Sequence, residues 1–234
     1  MEKDMEEKLK KDFIVMNNEP NILVIIDDVH PMFELIKSQF ETRNAKDALA
    51  SFETYDLVVD LTLLKTKAKI VFLKELARTT KAEIISDLTH CWGEMVLKHS
   101  PKVTGAVSLL FFSPTNSVEF FAPTAKAKTQ IESFLKKLGK TGVQHQDLKL
   151  GFHYPRVISM IVNEAYFALG ENLATPESID LAMKNGVNYP MGPIEWGQKI
   201  GLKHIIDLLS EYSEITEDPR YRISTALKLT GKYI

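Results

Sequence analysis

Six histidines, one cysteine, three alternating lysines and two adjacent aspartates are the side chains here whose types could do chemistry. Histidine is the usual general base near neutral pH, but His30, His90, His99, His145, His153 and His204 are scattered along the chain. A lone histidine is more often a capping or surface residue than a base. Cys91, beside Trp92, follows Thr89 on a predicted helix N-terminus, where a thiolate would be stabilised; a buried, inert thiol is the preferred reading. One cysteine allows no internal disulfide and no cysteine-built metal site, and no metal is expected. Lys65, Lys67 and Lys69 enter a helix in alternation, so a phosphate-facing role competes with a plain solvated face, and the solvated face is preferred. Asp27 and Asp28 follow an apolar run and precede a helix, the usual place for caps.

The elements that must position these residues divide the chain. From Asn21 to about Gln146, short β-rich runs alternate with amphipathic stretches, as in a sheet flanked by helices. NILVII, YDLVVD and AEIIS are continuous apolar runs of the kind buried on both faces of parallel strands. GAVSLLFF, VEFFAP and GVQHQ supply further strands, while PMFELIKSQFE, AKDALASF, KAKIVFLKELAR, THCWGEMVLKH and PTAKAKTQIESFLKKL read as helices. After Gly151 apolar residues recur at three and four spacing, through Val157, Ile158, Ile161, Val162, Ala165, Tyr166 and Leu169, and the remainder reads as all helix. The expected organisation is a tail over 1–20, an α/β domain over 21–148 and a helical domain over 149–234.

Charge and composition exclude several classes. A net charge of −2 from 29 basic and 31 acidic residues gives no basic surplus for nucleic acid or an anionic membrane. MEKDMEEKLKKDF mixes both signs and lacks the apolar segment of a secretory signal, and the longest apolar runs fall far short of the roughly 20 residues of a membrane span. A soluble, cytoplasmic protein is expected.

The helical half carries an ordered series: Gly151-Phe152 with Arg156, Asn163-Glu164-Ala165, ATPESID with Met183 and Gly186, Tyr189-Pro190-Met191-Gly192-Pro193, and Gly201-Leu202. Taken together at that spacing, it resembles the C-terminal domain of the NAD-dependent 3-hydroxyacyl-CoA dehydrogenases. AKDALASFETYDLVVDLTLLKTKAKIVFLKEL, ISDLT and LLFFSP resemble the N-terminal half of the same family. The resemblance implies a truncated Rossmann-like α/β domain followed by an all-α domain, a cleft sized for acyl-CoA, and a homodimer formed through the helical domain. Met160, Met191 and Trp196 are expected on the faces left for that partner.

Against the family pattern, the site residues differ. The family's Gly-x-Gly-x-x-Gly turn lets the backbone approach a pyrophosphate; here NILVII runs into DDVHPMFELI without a glycine. The interval to YDLVVD is short by about one strand–helix unit, so the strand bearing the ribose-binding acid reads as missing and no bound cofactor is expected. The family's base opens a His-Phe-Phe-Asn-Pro segment, and the corresponding residues are Leu110-Phe111-Phe112-Ser113-Pro114. Twelve positions on, where the family's glutamate is expected, stands Ala122, and Pro155 takes the place of the asparagine after the Gly-Phe pair. Thr89 is the one retained hydroxyl, and His153 lies two residues before Pro155. The expectation is a family homologue that has lost dehydrogenation, with Leu110 and Ala122 in a dry, repacked site. Two alternatives stay open: a functioning dehydrogenase with a rearranged site, and a subunit of a larger fatty-acid complex.

Overall fold

A computed structural model of the chain describes residues 20–49, 54–148 and 151–233. The tail expected over 1–20 lies, but for Pro20, outside the described residues, as does the boundary placed near Lys149. Seven strands among the described residues form one sheet in the order β2-β1-β3-β4-β5-β6-β7. They are β1 (Ile22–Ile25), β2 (Glu41–Arg43), β3 (Leu57–Asp60), β4 (Glu83–Asp87), β5 (Val103–Val107), β6 (Ser117–Phe121) and β7 (Thr141–His145). Neighbours are parallel except β5 and β6, which pair antiparallel through Ala106 with Phe121 and Val107 with Phe120.

The apolar runs do what their composition requires. In β1, Ile22 and Val24 join one core and Leu23 and Ile25 the other, so a run without polar alternation is covered on both faces. The covering helices are α1 (Phe33–Lys37), α2 (Ala45–Leu49), α3 (Thr66–Thr79), α4 (Gly93–His99) and α5 (Ala125–Lys137). β6 does alternate: Val118 and Phe120 enter the core, while Ser117, Glu119 and Phe121 are half-buried on its other side.

Two expectations need correction. PMFELIKSQFE is not one helix: α1 ends at Lys37, and Glu41–Arg43 forms a strand paired parallel to β1, Leu23 opposite Glu41 and Ile25 opposite Arg43. The strand read as missing is therefore present beside β1. It escaped notice because an edge strand of three polar residues is held by backbone hydrogen bonds and shows no apolar period. Relative to the doubly wound order 3-2-1-4-5-6, the unit lacking among the described residues is the outermost one. In GAVSLLFF the strand stops at Val107, because Leu110 and Phe111 are drawn into the core of the helical half.

That half comprises α6 (His153–Gly170), α7 (Pro176–Gly186), α8 (Pro193–Ile200), α9 (Leu202–Thr216) and α10 (Thr225–Tyr233). Gly151, at φ 120°, leads into it in a conformation that favours glycine, with the Tyr212 hydroxyl where a Cβ would stand. Asn163 is buried inside α6; its Nδ2 donates to the Arg222 carbonyl at 3.0 Å and its Oδ1 accepts from the Ser224 N–H at 2.9 Å, fastening the entry to α10. Asp180 of α7 accepts from the N–H groups of Ile194 and Glu195 and so caps α8 from a neighbouring helix, which Gly192 permits by having no side chain there. No helix among the described residues is long and apolar enough to cross a membrane.

Candidate functional site

Two places are candidates for a ligand: the carboxyl ends of β1 and β3, where the strand order reverses, and the cleft where the loop after β5 meets the helical half. In the first, the turn after β1 closes on itself. The Asp27 carbonyl accepts from the His30 N–H at 3.0 Å, and His30 Nδ1 accepts from the Met32 N–H at 3.1 Å. Asp27 and Asp28 do not cap α1, whose N-cap residue is Met32 and which has no side-chain cap. Burial, then the neighbouring Asp60 and Asp28, push the Asp27 carboxyl above its usual range.

Beneath this turn lies a closed charged network. Lys69, expected on a solvated face, is fully buried, and its Nζ donates to Asp60 Oδ2 at 2.8 Å, the Thr62 carbonyl at 2.7 Å and Thr62 Oγ1 at 2.9 Å. Asp60 also accepts from Thr62 Oγ1 at 2.7 Å, Ser86 Oγ at 2.6 Å and the Thr62 N–H at 3.0 Å. The correction has a plain cause: α3 turns Lys69 toward the end of β3, where a carboxylate compensates the buried charge. Lys65 and Lys67 instead reach Asp207 and Glu214 on α9, at 3.6 Å and 3.2 Å.

The second place is built on Asp87, at the end of β4. Its Oδ1 accepts from the Thr89 N–H at 2.8 Å and its Oδ2 from the Leu109 N–H at 2.7 Å, tying two loops to one buried carboxyl. Burial raises its pKa, against the pull of these hydrogen bonds. Thr89 is wholly buried, with Oγ1 3.0 Å from Ser108 Oγ; Ser108, not Thr89, lines the cleft. Leu110 is 2% exposed and packs in the helical core with Phe111, while Ala122 is buried in the sheet core and Pro155 is buried in the first turn of α6. Phe112 remains 39% exposed, under the Lys199 ammonium.

The cleft, of about 360 Å³, nevertheless contains a carboxylate. Glu119 projects into it from β6, three residues before Ala122. Its Oε2 accepts from the Tyr154 N–H at 2.9 Å, and His145 Nε2 of β7 lies 2.9 Å from its Oε1. His153 stands across from His145, the ring centroids 4.5 Å apart and nearly perpendicular. Leu110 and Ala122 are buried as expected, but the dry, repacked character expected of the site does not extend to this cleft, where a carboxylate and an imidazole meet. A count of twelve along the chain holds only for a connection of unchanged length, whereas the pleat of β6 decides which side chain faces the cleft. Tyr154 closes the wall: its hydroxyl donates to the Phe112 carbonyl at 2.7 Å and accepts from Trp196 Nε1 at 3.0 Å, and burial raises its pKa to about 12. Glu119, Ser108 and Tyr154 were missed from sequence; the alternation of SVEFF was the available signal for the first.

Burial lowers His30 to about 4 and His90 to about 3, and it also lowers His204, whose ring lies 5.7 Å from that of His90. His30 and His90 are therefore neutral at pH 7 and are not bases tuned to it. Cys91 is the buried, inert thiol expected, raised to about 12 by burial. His99 is exposed at the end of α4.

Residues 151–233 match the family described as 3-hydroxyacyl-CoA dehydrogenase, C-terminal domain. The chain is 39% identical over 95 residues to 3-hydroxyadipyl-CoA dehydrogenase of Escherichia coli, covering 41% of this chain and 20% of that protein. It is 27% identical over 210 residues to the probable 3-hydroxybutyryl-CoA dehydrogenase of Bacillus subtilis, covering 85% and 71% respectively. The chain thus spans about a fifth of the first relative and 71% of the second. Its fold is similar to that of (S)-3-hydroxybutyryl-CoA dehydrogenase from Ralstonia eutropha, with a TM-score of 0.63, 20% identity and coverage of 92% of this chain and 95% of that one.

These likenesses correct the expectation of no cofactor, since the matched family points to NAD. At the turn after β1 the residues do not fit a pyrophosphate as a glycine turn does: no glycine lies between Ile26 and Lys37, and Asp27 and Asp28 stand there.

Proposed function

We infer that this chain, a member of the 3-hydroxyacyl-CoA dehydrogenase family, keeps the family's body and an acyl-CoA-sized cleft but does not dehydrogenate through the family's histidine base. The observation behind this reading is Leu110, 2% exposed and packed among apolar side chains where the resemblance places the imidazole. Without a base the hydroxyl proton has no acceptor at that position, and general-base catalysis contributes about 10²- to 10⁴-fold. A second reading, a dehydrogenase with a rearranged site, is favoured by Glu119 and His145 meeting at 2.9 Å beside the cleft.

Nicotinamide absorbance with 3-hydroxybutyryl-CoA and NAD separates the two. The first reading expects turnover about 10²- to 10⁴-fold below a family enzyme assayed alongside. A comparable rate, abolished by His145→Gln and by Glu119→Gln, would establish the second.

The reading extends to a homodimer through the helical half, in a reducing aqueous compartment suited to the unpaired Cys91. Met191 and Trp196, expected on the partner face, are buried at 6% and 5% in the chain's own core. The apolar surface that remains is centred on α7, which buries none of its residues and exposes Leu181 at 61%. Light scattering at micromolar concentration is expected to give the mass of two chains; Leu181→Glu should shift it toward one, and a monomer mass for the unaltered chain refutes the dimer.

A further inference from the structure

We propose that Glu119, His145 and His153 form a site for a divalent transition-metal ion of the zinc class, at the seam between the sheet and the helical half. Glu119 comes from β6, His145 from the adjacent β7 and His153 from the first residue of α6. One ligand atom of each lies within 4.8 Å of the others. Zinc takes imidazole nitrogen and carboxylate oxygen at about 2.0–2.2 Å in a tetrahedral set, which spaces ligand atoms by roughly 3.3–3.5 Å. Glu119 and His145 are already closer than this, at 2.9 Å. His153, exposed at the start of its helix, is the ligand free to close the set by side-chain rotation.

The contact between Glu119 and His145 points to a cation independently of ligand count. His145 Nε2 is buried and has no hydrogen-bond partner despite a carboxylate oxygen at 2.9 Å, because that oxygen does not lie along a usable N–H direction. The nitrogen and the oxygen are thus close without being bonded, and a metal ion set on the imidazole lone pair and on Glu119 Oε1 would engage both. The carboxylate is also oriented as a ligand should be. Its Oε2 is held by the Tyr154 N–H at 2.9 Å, leaving Oε1 toward the histidines. Since Glu119 also lines the cleft, the fourth coordination position has access to water or to an oxygen of a bound ligand. The competing arrangement is a simple ion pair, with His145 protonated and no metal; it predicts no metal affinity.

The test uses the full chain without an affinity tag, stripped with a chelator and titrated with zinc chloride by calorimetry at pH 7.5. Expected are one ion per chain, a dissociation constant of about 1 µM or tighter, and a melting temperature that rises with zinc. His153→Ala, an exposed change that leaves the core untouched, should weaken binding by at least about tenfold, and His145→Gln should abolish it. At pH 5 the affinity should fall steeply, because protons compete with the metal for the imidazole nitrogens. Absence of a stoichiometric site, or binding unchanged in both variants, overturns the proposal and leaves the ion pair. Because the readout is binding and stability, the outcome does not depend on which reading of the reaction is correct.

Discussion

Lys69→Ala is expected to destabilise the chain by about 3–5 kcal/mol, enough to unfold a large fraction of it at ambient temperature. Lys69 and Asp60 are both wholly buried, and all three ammonium protons are used, on Asp60 and twice on Thr62. Removing the cation leaves a carboxylate in a water-poor interior with only Thr62 and Ser86 as donors. Breaking one half of such a pair is therefore far worse than replacing both halves. The double replacement Lys69→Met with Asp60→Leu should return to within about 2 kcal/mol of the original, since the pair's Coulomb gain is largely spent on desolvation. Urea unfolding of the three proteins checks the contrast. A Lys69→Ala midpoint close to that of the unaltered chain would mean that the network does not hold the ends of β3 and β4 together.

Acidification from pH 7 to about 4 should cost several kcal/mol, through His30 and His90. Their folded pKa values, about 4 and about 3, lie below the unfolded value near 6.5, so the unfolded chain takes up these protons first. Their contribution is complete above pH 6.5 and is lost as pH falls toward the folded values. Within that window each histidine costs about 1.4 kcal/mol per pH unit. Asp27 and Asp87, raised by burial, act in the opposite sense, because the folded chain binds their protons first. Their effect begins only as the carboxyls titrate, so the steepest loss falls at the upper end of the window. Melting temperature against pH is the measurement, with His90→Gln expected to reduce the slope; His204, also lowered by burial, adds to it in the same sense. A melting temperature constant from pH 7 to 5 would show that both imidazoles reach water.

How much of this was legible in the sequence depended on which force set each feature. Burial patterns were readable because hydrophobic periodicity is local: NILVII and YDLVVD became strands covered on both faces, and the run from Val157 to Leu169 became one helix. Leu110 was legible for the same reason, since an apolar residue in an apolar run has only one stable destination, although it went to the helical core rather than a strand. Pairings between polar groups were not legible. Lys69 reads like Lys65 and Lys67 until α3 is laid against β3, and only then does one of the three meet Asp60. β2 is held by ladder hydrogen bonds to β1, which leave no mark on residue type.

The candidate site divides along the same line. By itself the sequence determined the family resemblance, the absence of glycine after β1 and Leu110 standing where the resemblance expects a histidine, because each is a statement of which residue stands where. Only the tertiary structure decided that Glu119 faces the cleft and that His145 and His153 converge on it. That convergence depends on the register of β6 against β7 and on where α6 begins relative to the sheet. These distances are set by packing among segments far apart in the chain, and no local pattern of residue types encodes them.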